Sequence, residues 1–298
     1  MPFFRNIKSL LYKILTGYGF YVCIVFTVIL CFSADIYEDF GNGNKYSAFK
    51  ALMEFDRDFM FSDTAFCSLE VMQSGTGSWL SLFIPIVASF SFVPIICDEY
   101  DAKAIRFEIF RSSKLCYHSS KFIAACLSGG LAIMFGFGLF AAIEYLLFPN
   151  ISEYESGMQQ MYEEMLIIQY PDISESGYTM VVVQKLISMF VYGAACSAPV
   201  MMLTIIVRNK YLVVCIPFFI KYALNQICSK LQTQAVGDYK SMDMELLRAV
   251  GIVNPDALAR LSQYGEDKKY VLIYSGSIIA ISFIVYMIVA LRKGDSGE

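Results

Sequence analysis

The sequence predicts an all-α integral membrane protein with six transmembrane helices and both termini in the cytoplasm. Three observations predict this class: a composition dominated by apolar residues, six long runs with almost no charge, and an uneven distribution of acidic and basic residues between the connections. The chain has 298 residues, of which 57% are hydrophobic and 17% are charged, and its mean hydropathy is +0.54. One soluble core of this size does not bury so much apolar surface, so lipid must cover part of it.

Six apolar runs are long enough to cross a bilayer, whose hydrocarbon core of about 30 Å takes about 20 helical residues. The predicted spans are 14–34, 78–97, 122–148, 181–207, 211–229 and 270–291. Basic residues precede the first run, as they do in a signal peptide. The run is too long for a cleaved leader, so we expect it to remain as span 1.

The distribution of charge predicts the orientation of these spans. With the N-terminus in the cytoplasm, 12 of the 23 Lys and Arg residues fall in short inner segments. The outer segments 35–77, 149–180 and 230–269 then carry 20 of the 27 Asp and Glu residues. Because basic residues favour the cytoplasmic side, we expect both termini to lie inside.

Each outer segment contains apolar residues at helical spacing, which predicts amphipathic helices over the outer mouth of the bundle. These stretches are residues 46–55, 158–170 and 244–261. Asn254 followed by Pro255 is typical of a helix start, with Asn as the N-cap and Pro in the first turn.

The connection between spans 2 and 3 is polar and basic on balance, so we expect it to leave the membrane. It reads DEYDAKAIRFEIFRSSKLCYHSSK, from Asp98 to Lys121. A short helix in it would have one apolar and one charged face, and two apolar sets fit that spacing. One set is Ala104, Ile105, Ile109 and Phe110, and the other is Phe107, Phe110 and Leu115. Such a helix lies on a membrane surface or docks into a groove of another protein.

This connection resembles the loop between the second and third spans of type-2 ATP-binding-cassette (ABC) exporter permeases. In that family the loop often reads E-x-x-x-G-T-I, then a basic or proline-containing turn, then Y or I-x-x-S-K. The matching elements here, in order, are Glu99, Lys103-Ala104-Ile105-Arg106, Arg111 to Lys114, Tyr117 and Ser120-Lys121-Phe122. The chain looks most like clostridial-type permeases with E-E-Y-x-S-G-x-I-R, although Lys103 stands where that family usually has glycine. The resemblance in sequence covers about 25 residues. Over the rest of the chain it rests on the order of the spans and the connections between them.

The resemblance implies a permease that does no ATP chemistry itself. In the family this loop is a cytoplasmic coupling helix that fits a groove on a separate ABC ATPase subunit, which binds ATP and Mg. The implied ATPase contacts are Glu99, Ile105, Arg106, Ile109, Phe110, Arg111 and Lys114. It also implies a second permease subunit, as a homodimer or heterodimer, in a bacterial cytoplasmic membrane. The implied activity is export of an amphiphilic, peptide-like or lipid-like substrate. The alternative is that the loop is a solvated connection whose charges only set the orientation of the spans in the membrane.

Other classes of function find little support in the sequence. There is no G-x-x-x-x-G-K-[ST] phosphate-binding motif, and the GNGNK run from Gly41 to Lys45 lacks its spacing, so we expect no enzyme activity in this chain. The single histidine, His118, leaves too few ligands for a histidine-based metal site or catalytic dyad, and we expect it at the surface. Without a concentrated basic patch, nucleic acid is not an expected partner. No cofactor is expected in the chain.

Three ionisable residues fall within the spans: Glu144, Lys185 and Lys221. A charge at this depth needs a partner or a wet cavity. Glu144 and Lys185 lie at similar depth on consecutive spans, which favours an ion pair between them. Lys221 either lies in a cavity between two subunits, where it attracts an anionic substrate group, or reaches the outer interface where span 5 breaks near Pro217.

Small residues and cysteines within the spans indicate packing rather than chemistry. The small residues are Gly129, Gly130, Gly136 and Gly138 in span 3 and Gly193, Ala194 and Ala195 in span 4. Proline kinks are expected at Pro85, Pro94, Pro199 and Pro217. The nine cysteines include no C-x-x-C pair. The sequence does not decide whether Cys67 and Cys228 form a disulfide, since this would require two outer segments to meet.

Two other functions remain alternatives to the permease. A polytopic membrane scaffold or signalling anchor would use the 98–121 loop to bind a partner without transport. An ion-coupled secondary transporter usually has internal repeats and polar sites at broken helices, which this sequence does not show. An ABC ATPase encoded beside this gene would favour the permease.

Overall fold

The computed structural model describes residues 2–39, 43–101, 113–169, 173–207, 209–236 and 243–292. Within these ranges the chain is mostly helical. Among the described residues, five helices are long and apolar enough to cross a membrane: Trp79–Tyr100, Lys114–Glu153, Thr179–Ile206, Lys210–Val236 and Lys268–Arg292. The bent pair Phe3–Leu15 and Tyr18–Phe32 makes six if it counts as one span. The helices are those of a multi-pass membrane protein, as the sequence predicts.

The first predicted span is broken. Helix α1 (Pro2–Leu15) and helix α2 (Tyr18–Phe32) meet at an angle of 60°. Gly17, which precedes α2, has an extended backbone, so the helical hydrogen bonds stop there. The predicted span 14–34 is therefore interrupted at its start, and its continuous helix begins at Tyr18. The amphipathic α1 packs its apolar face, including Leu10 and Ile14, into the bundle.

The second span consists of α6 (Ser78–Phe90) and α7 (Val93–Asp101), separated by a short turn. Pro94 is the second residue of α7, in the first turn, where its missing N–H breaks no helical hydrogen bond. The remaining spans are α8 (Lys114–Leu147), α10 (Ile173–Ile206), α11 (Lys210–Val236) and α13 (Lys268–Arg292). Pro217 lies inside α11, so span 5 does not end at this proline.

Contacts between the described residues give the bundle two unlike ends. We call the end at which Lys13 of α1 meets Glu99 of α7 the terminal end, and the end at which the described residues of the three long connections meet the loop end. At the loop end, Ser68 N–H donates to the Pro149 carbonyl at 3.0 Å, and Arg57 pairs with Glu153 at 3.2 Å. The first and second long connections therefore pack on each other.

The first long connection contains a β-hairpin that the sequence analysis did not predict, so the chain is not purely α. Strand β1 (Asp35–Asp39) pairs antiparallel with β2 (Asn44–Ser47), and Tyr37 lies opposite Tyr46. Aromatic rings hold the hairpin to the helices that follow: Tyr37 lies 5.0 Å from Phe66, and Phe55 stacks on Phe59 at 4.6 Å, centroid to centroid. The helices of this segment are α3 (Ala48–Glu54), α4 (Arg57–Met60) and α5 (Ser68–Ser74).

The helices predicted for the other two long connections are present. They are α9 (Ser156–Gln169) and α12 (Met244–Val253). The prediction that Asn254 begins an α-helix is wrong in part, because the residues after it form the 3-10 helix Ala257–Gln263. The Asn254 side chain does accept from the Asp256 N–H at 2.8 Å, which turns the chain into that element.

Small residues allow α8 and α10 to approach closely, as predicted. A Cβ added at Gly193 would lie 2.8 Å from the Gly129 carbonyl oxygen and 3.0 Å from the Gly130 Cα. These neighbours are backbone atoms, so only movement of a helix would relieve the clash.

Gly193→Ala should therefore destabilise the fold by about 1–3 kcal/mol, the range for overpacking a tight core. Gly276→Ala is the matched control, because Gly276 on α13 has open space around its Cβ position. Thermal unfolding in detergent, followed by size-exclusion chromatography, compares the two variants. Equal melting temperatures for them would contradict the close approach of α8 and α10.

Candidate functional site: two buried charge clusters

A buried carboxylate joins three helices at the terminal end. Glu99, at the end of α7, is 6% exposed. Its oxygens lie 2.6 Å from the Lys13 ammonium of α1 and 2.8 Å from the Lys121 ammonium of α8. Lys121 is fully buried, whereas the Lys13 side chain is half exposed. We call these three residues and the aromatic groups around them the terminal cluster.

Aromatic side chains surround Lys121 and extend the terminal cluster to a fourth helix. The Lys121 ammonium donates to the Tyr117 hydroxyl at 3.0 Å and lies 4.6 Å from the centre of the Tyr100 ring. The His118 Nδ1 lies 3.1 Å from the hydroxyl of Tyr286, which is on α13. The cluster therefore connects α1, α7, α8 and α13.

His118 is buried in this cluster, so the expectation of a surface histidine is wrong. Its Nδ1 shares a hydrogen bond with the Tyr286 hydroxyl, and its ring also packs against Tyr117, within the helix interface. Among the described residues, no group of three or more His, Cys, Asp and Glu side chains is placed to hold a metal ion.

Glu99, one of the predicted ATPase contacts, is buried, and both of its oxygens lie against lysines of this chain. The pairing with Lys13 and Lys121 offsets the cost of burying the carboxylate. Lys114 begins α8, where the Ser113 hydroxyl accepts from the Cys116 N–H at 3.3 Å. The other predicted contacts, Ile105, Arg106, Ile109, Phe110 and Arg111, lie outside the described residues.

Lys221 is the centre of a second cluster, towards the loop end. Its ammonium lies 2.9 Å from an oxygen of Asp256 and also contacts the Ser81 carbonyl and the Tyr192 hydroxyl. Tyr192 donates to the same carboxylate at 2.5 Å, and the Asn225 amide donates to its second oxygen at 3.0 Å. We call this group the loop cluster.

The structure gives Lys221 a partner that neither interpretation of the sequence included. Its side chain is buried, and Asp256 of the third long connection compensates its charge. Burial alone would raise the pKa of Asp256, but the Lys221 ammonium and the hydrogen bonds to the carboxylate outweigh burial and hold that pKa below its ordinary value. Asp256 is therefore ionised at neutral pH.

Lys185 of α10 also binds the third long connection. Its ammonium donates to the Ala259 carbonyl at 2.8 Å, and to Gln73 Oε1 and Thr76 Oγ1 at 3.1 Å each. Ala259 and Asp256 are three residues apart, so buried lysines from two spans hold the same short segment. The chain between Asp256 and Ala259 is thereby fixed inside the loop end of the bundle.

The predicted ion pair between Glu144 and Lys185 is absent. The bonds of Lys185 are to the neutral oxygens of Gln73, Thr76 and Ala259. Glu144 is buried on α8, and its Oε2 has no hydrogen-bond partner among the described residues. Similar depth on consecutive spans did not bring the two charges together. Cys67 and Cys228, the candidates for a disulfide, are both free thiols.

Sequence reasoning missed the partners of the buried lysines. Asp256 looked like one of many acids in an outer connection, and Tyr192 like one aromatic residue among many in span 4. The available signal was the free-energy cost of placing the Lys221 charge in an apolar run. A carboxylate elsewhere in the chain would offset that cost.

Comparison with known proteins identifies no family for this chain. No protein-family model matches the sequence, and no curated protein matches it. The fold defines a multi-pass helical membrane protein with a buried ionic cluster towards each end.

Glu99→Gln should destabilise the protein by about 3–5 kcal/mol, since it leaves Lys121 buried without a counter-charge. Asp98→Asn is the control: the neighbouring Asp98 is exposed and lies 3.8 Å from Lys210, so its loss should change stability little. Urea or thermal unfolding of the purified protein measures both. If the Glu99→Gln variant is as stable as Asp98→Asn, the terminal cluster does not stabilise the fold.

Lys221 and Asp256 should be energetically coupled. Lys221→Met and Asp256→Asn each leave an unpaired buried group and should each cost several kcal/mol, whereas the double variant should cost less than the sum. A double-mutant cycle by thermal unfolding measures the difference. Additive losses would show that the two side chains do not interact.

Proposed function

We propose that the chain is the membrane-spanning permease subunit of an ABC exporter, driven by a separate ATPase subunit. The single observation that carries the proposal is the resemblance of residues 98–121 to the coupling loop of type-2 ABC permeases. ATP and Mg belong to the partner subunit in this proposal. The cargo is amphiphilic, peptide-like or lipid-like, and the membrane is a bacterial cytoplasmic membrane.

The geometry beside that loop supports the proposal. A coupling element must transmit force to the spans without deforming first. Both ends of this stretch are anchored: Glu99 lies near its start on α7, Lys121 ends it on α8, and the two form a buried ion pair. Lys13 and Tyr286 extend this anchor to α1 and α13. A displacement of the loop would therefore reach four helices at once.

This arrangement fits a rigid-body mechanism. Closure of an ATP-bound ATPase dimer would push the segment between residues 101 and 114, and the terminal cluster would carry that motion into the helices as a unit. The role of Glu99 in this proposal is to position the loop, since its carboxylate is occupied within the chain.

A second permease subunit belongs to the proposal. The pathway of such an exporter lies between two permeases, as a homodimer or a heterodimer. Lys185 and Lys221 hold the segment from Asp256 to Ala259 between the spans. In the proposed exporter, this segment would close the pathway at the loop end in the present conformation.

The test is reconstitution with the ABC ATPase encoded beside the gene. We expect the two proteins to purify together and substrate to stimulate ATP hydrolysis in proteoliposomes. Ile105→Ser with Phe110→Ser removes two apolar residues predicted to dock into the ATPase, and should lower the stimulation roughly tenfold or more.

The matched control is Phe49→Ser with Met53→Ser, which removes two exposed apolar residues of α3 at the loop end. This variant should keep both ATPase binding and stimulation. If no ATPase purifies with the wild-type chain, or if the Ile105 and Phe110 variant couples as well as the control, the permease proposal fails. Capture of another protein through the loop would instead favour a membrane scaffold.

A further inference from the structure

Helix α9 has one face held in the loop end. Tyr162 and Leu166, four residues apart, are both buried in the main hydrophobic cluster. The Tyr162 hydroxyl donates to a carboxylate oxygen of Glu70 at 3.3 Å, which ties α9 to α5. This anchor gives α9 a fixed orientation, so its other face is presented in a defined direction.

That other face is a stripe of large apolar side chains. Met161, Met165 and Ile168 are spaced by four and three residues, so they lie in one row along the helix. They are 53%, 58% and 82% exposed. We call these three residues the methionine stripe.

The charge around the methionine stripe indicates what covers it. Between Pro149 and Met180 the sequence has six acidic residues and no basic residue. Glu164 is exposed and lies three residues after Met161, at the edge of the stripe. Helices that lie on membranes are typically rich in Lys and Arg on their polar face, which attracts them to anionic lipids. Helix α9 has no Lys or Arg, and anionic lipids would repel its acids, which argues against lipid as the occupant.

We propose that the methionine stripe binds a cationic amphipathic helix. The apolar face of such a peptide would cover Met161, Met165 and Ile168, and its lysines or arginines would lie against Glu164. Unbranched methionine side chains adapt to partners of varied shape, and acidic, methionine-rich surfaces of this kind bind basic amphipathic helices in other proteins. The inference goes beyond the proposed function, since it requires neither ATP nor a second subunit.

The test measures binding of a synthetic amphipathic peptide of leucine and lysine to the full chain in phosphatidylcholine nanodiscs. We expect saturable binding that weakens as salt is raised, because charge contributes to it. A scrambled peptide of the same composition and a leucine and glutamate peptide should bind at least roughly tenfold more weakly. Equal binding of the scrambled or acidic peptide, or of the cationic peptide to empty nanodiscs, would overturn the proposal.

Variants assign the binding to the stripe. Met161→Ser with Met165→Ser should weaken binding roughly tenfold or more, since two apolar contacts are lost. Glu164→Gln should reduce both affinity and salt dependence. Phe49→Ser with Met53→Ser is the matched control, with two exposed apolar side chains at the same spacing on α3. Since the changed side chains are exposed, thermal unfolding should be unaltered. If the Met161 and Met165 variant folds and binds as well as the control, the stripe is not the site.

Discussion

The structure depends on one interaction that occurs twice: a lysine buried on a spanning helix pairs with a carboxylate of the same chain. Lys121 and Lys221 have fully or nearly fully buried side chains, and each lies within 3 Å of one carboxylate. Removing either carboxylate would leave a buried charge that water cannot reach. The two ion pairs therefore set which helices lie together near each end of the bundle.

The two clusters have different consequences. At the terminal end, Glu99 joins α7 to α1 and α8 beside the loop that resembles a coupling segment, so that loop has a rigid base. Towards the loop end, Asp256 and Ala259 are held by lysines of two spans, which draws a long connection into the bundle. In the proposed exporter, a bundle that is tied in this way at both ends would transmit motion between them through whole helices rather than through flexible turns.

The sequence was sufficient for what depends on local pattern. Runs of apolar residues predicted the six hydrophobic segments, and the small residues at Gly129 and Gly193 predicted the contact between α8 and α10. It was insufficient where distant parts of the chain meet. The residues around Asp256 in the sequence do not indicate that it neutralises Lys221. Those around Glu144 do not show that Lys185 donates its hydrogen bonds to other oxygens. The β-hairpin was missed because its strands are short and depend on packing against Phe55 and Phe66.

The central claim is that the loop between α7 and α8 lies on the cytoplasmic side, on an anchored base where a nucleotide-driven partner binds it. The most direct measurement is the side of the membrane reached by this loop in living cells. Alkaline phosphatase and green fluorescent protein, fused in turn after Ser112, report opposite sides. The account predicts an inactive phosphatase and a fluorescent fusion. An active phosphatase with a dark fluorescent protein would contradict it.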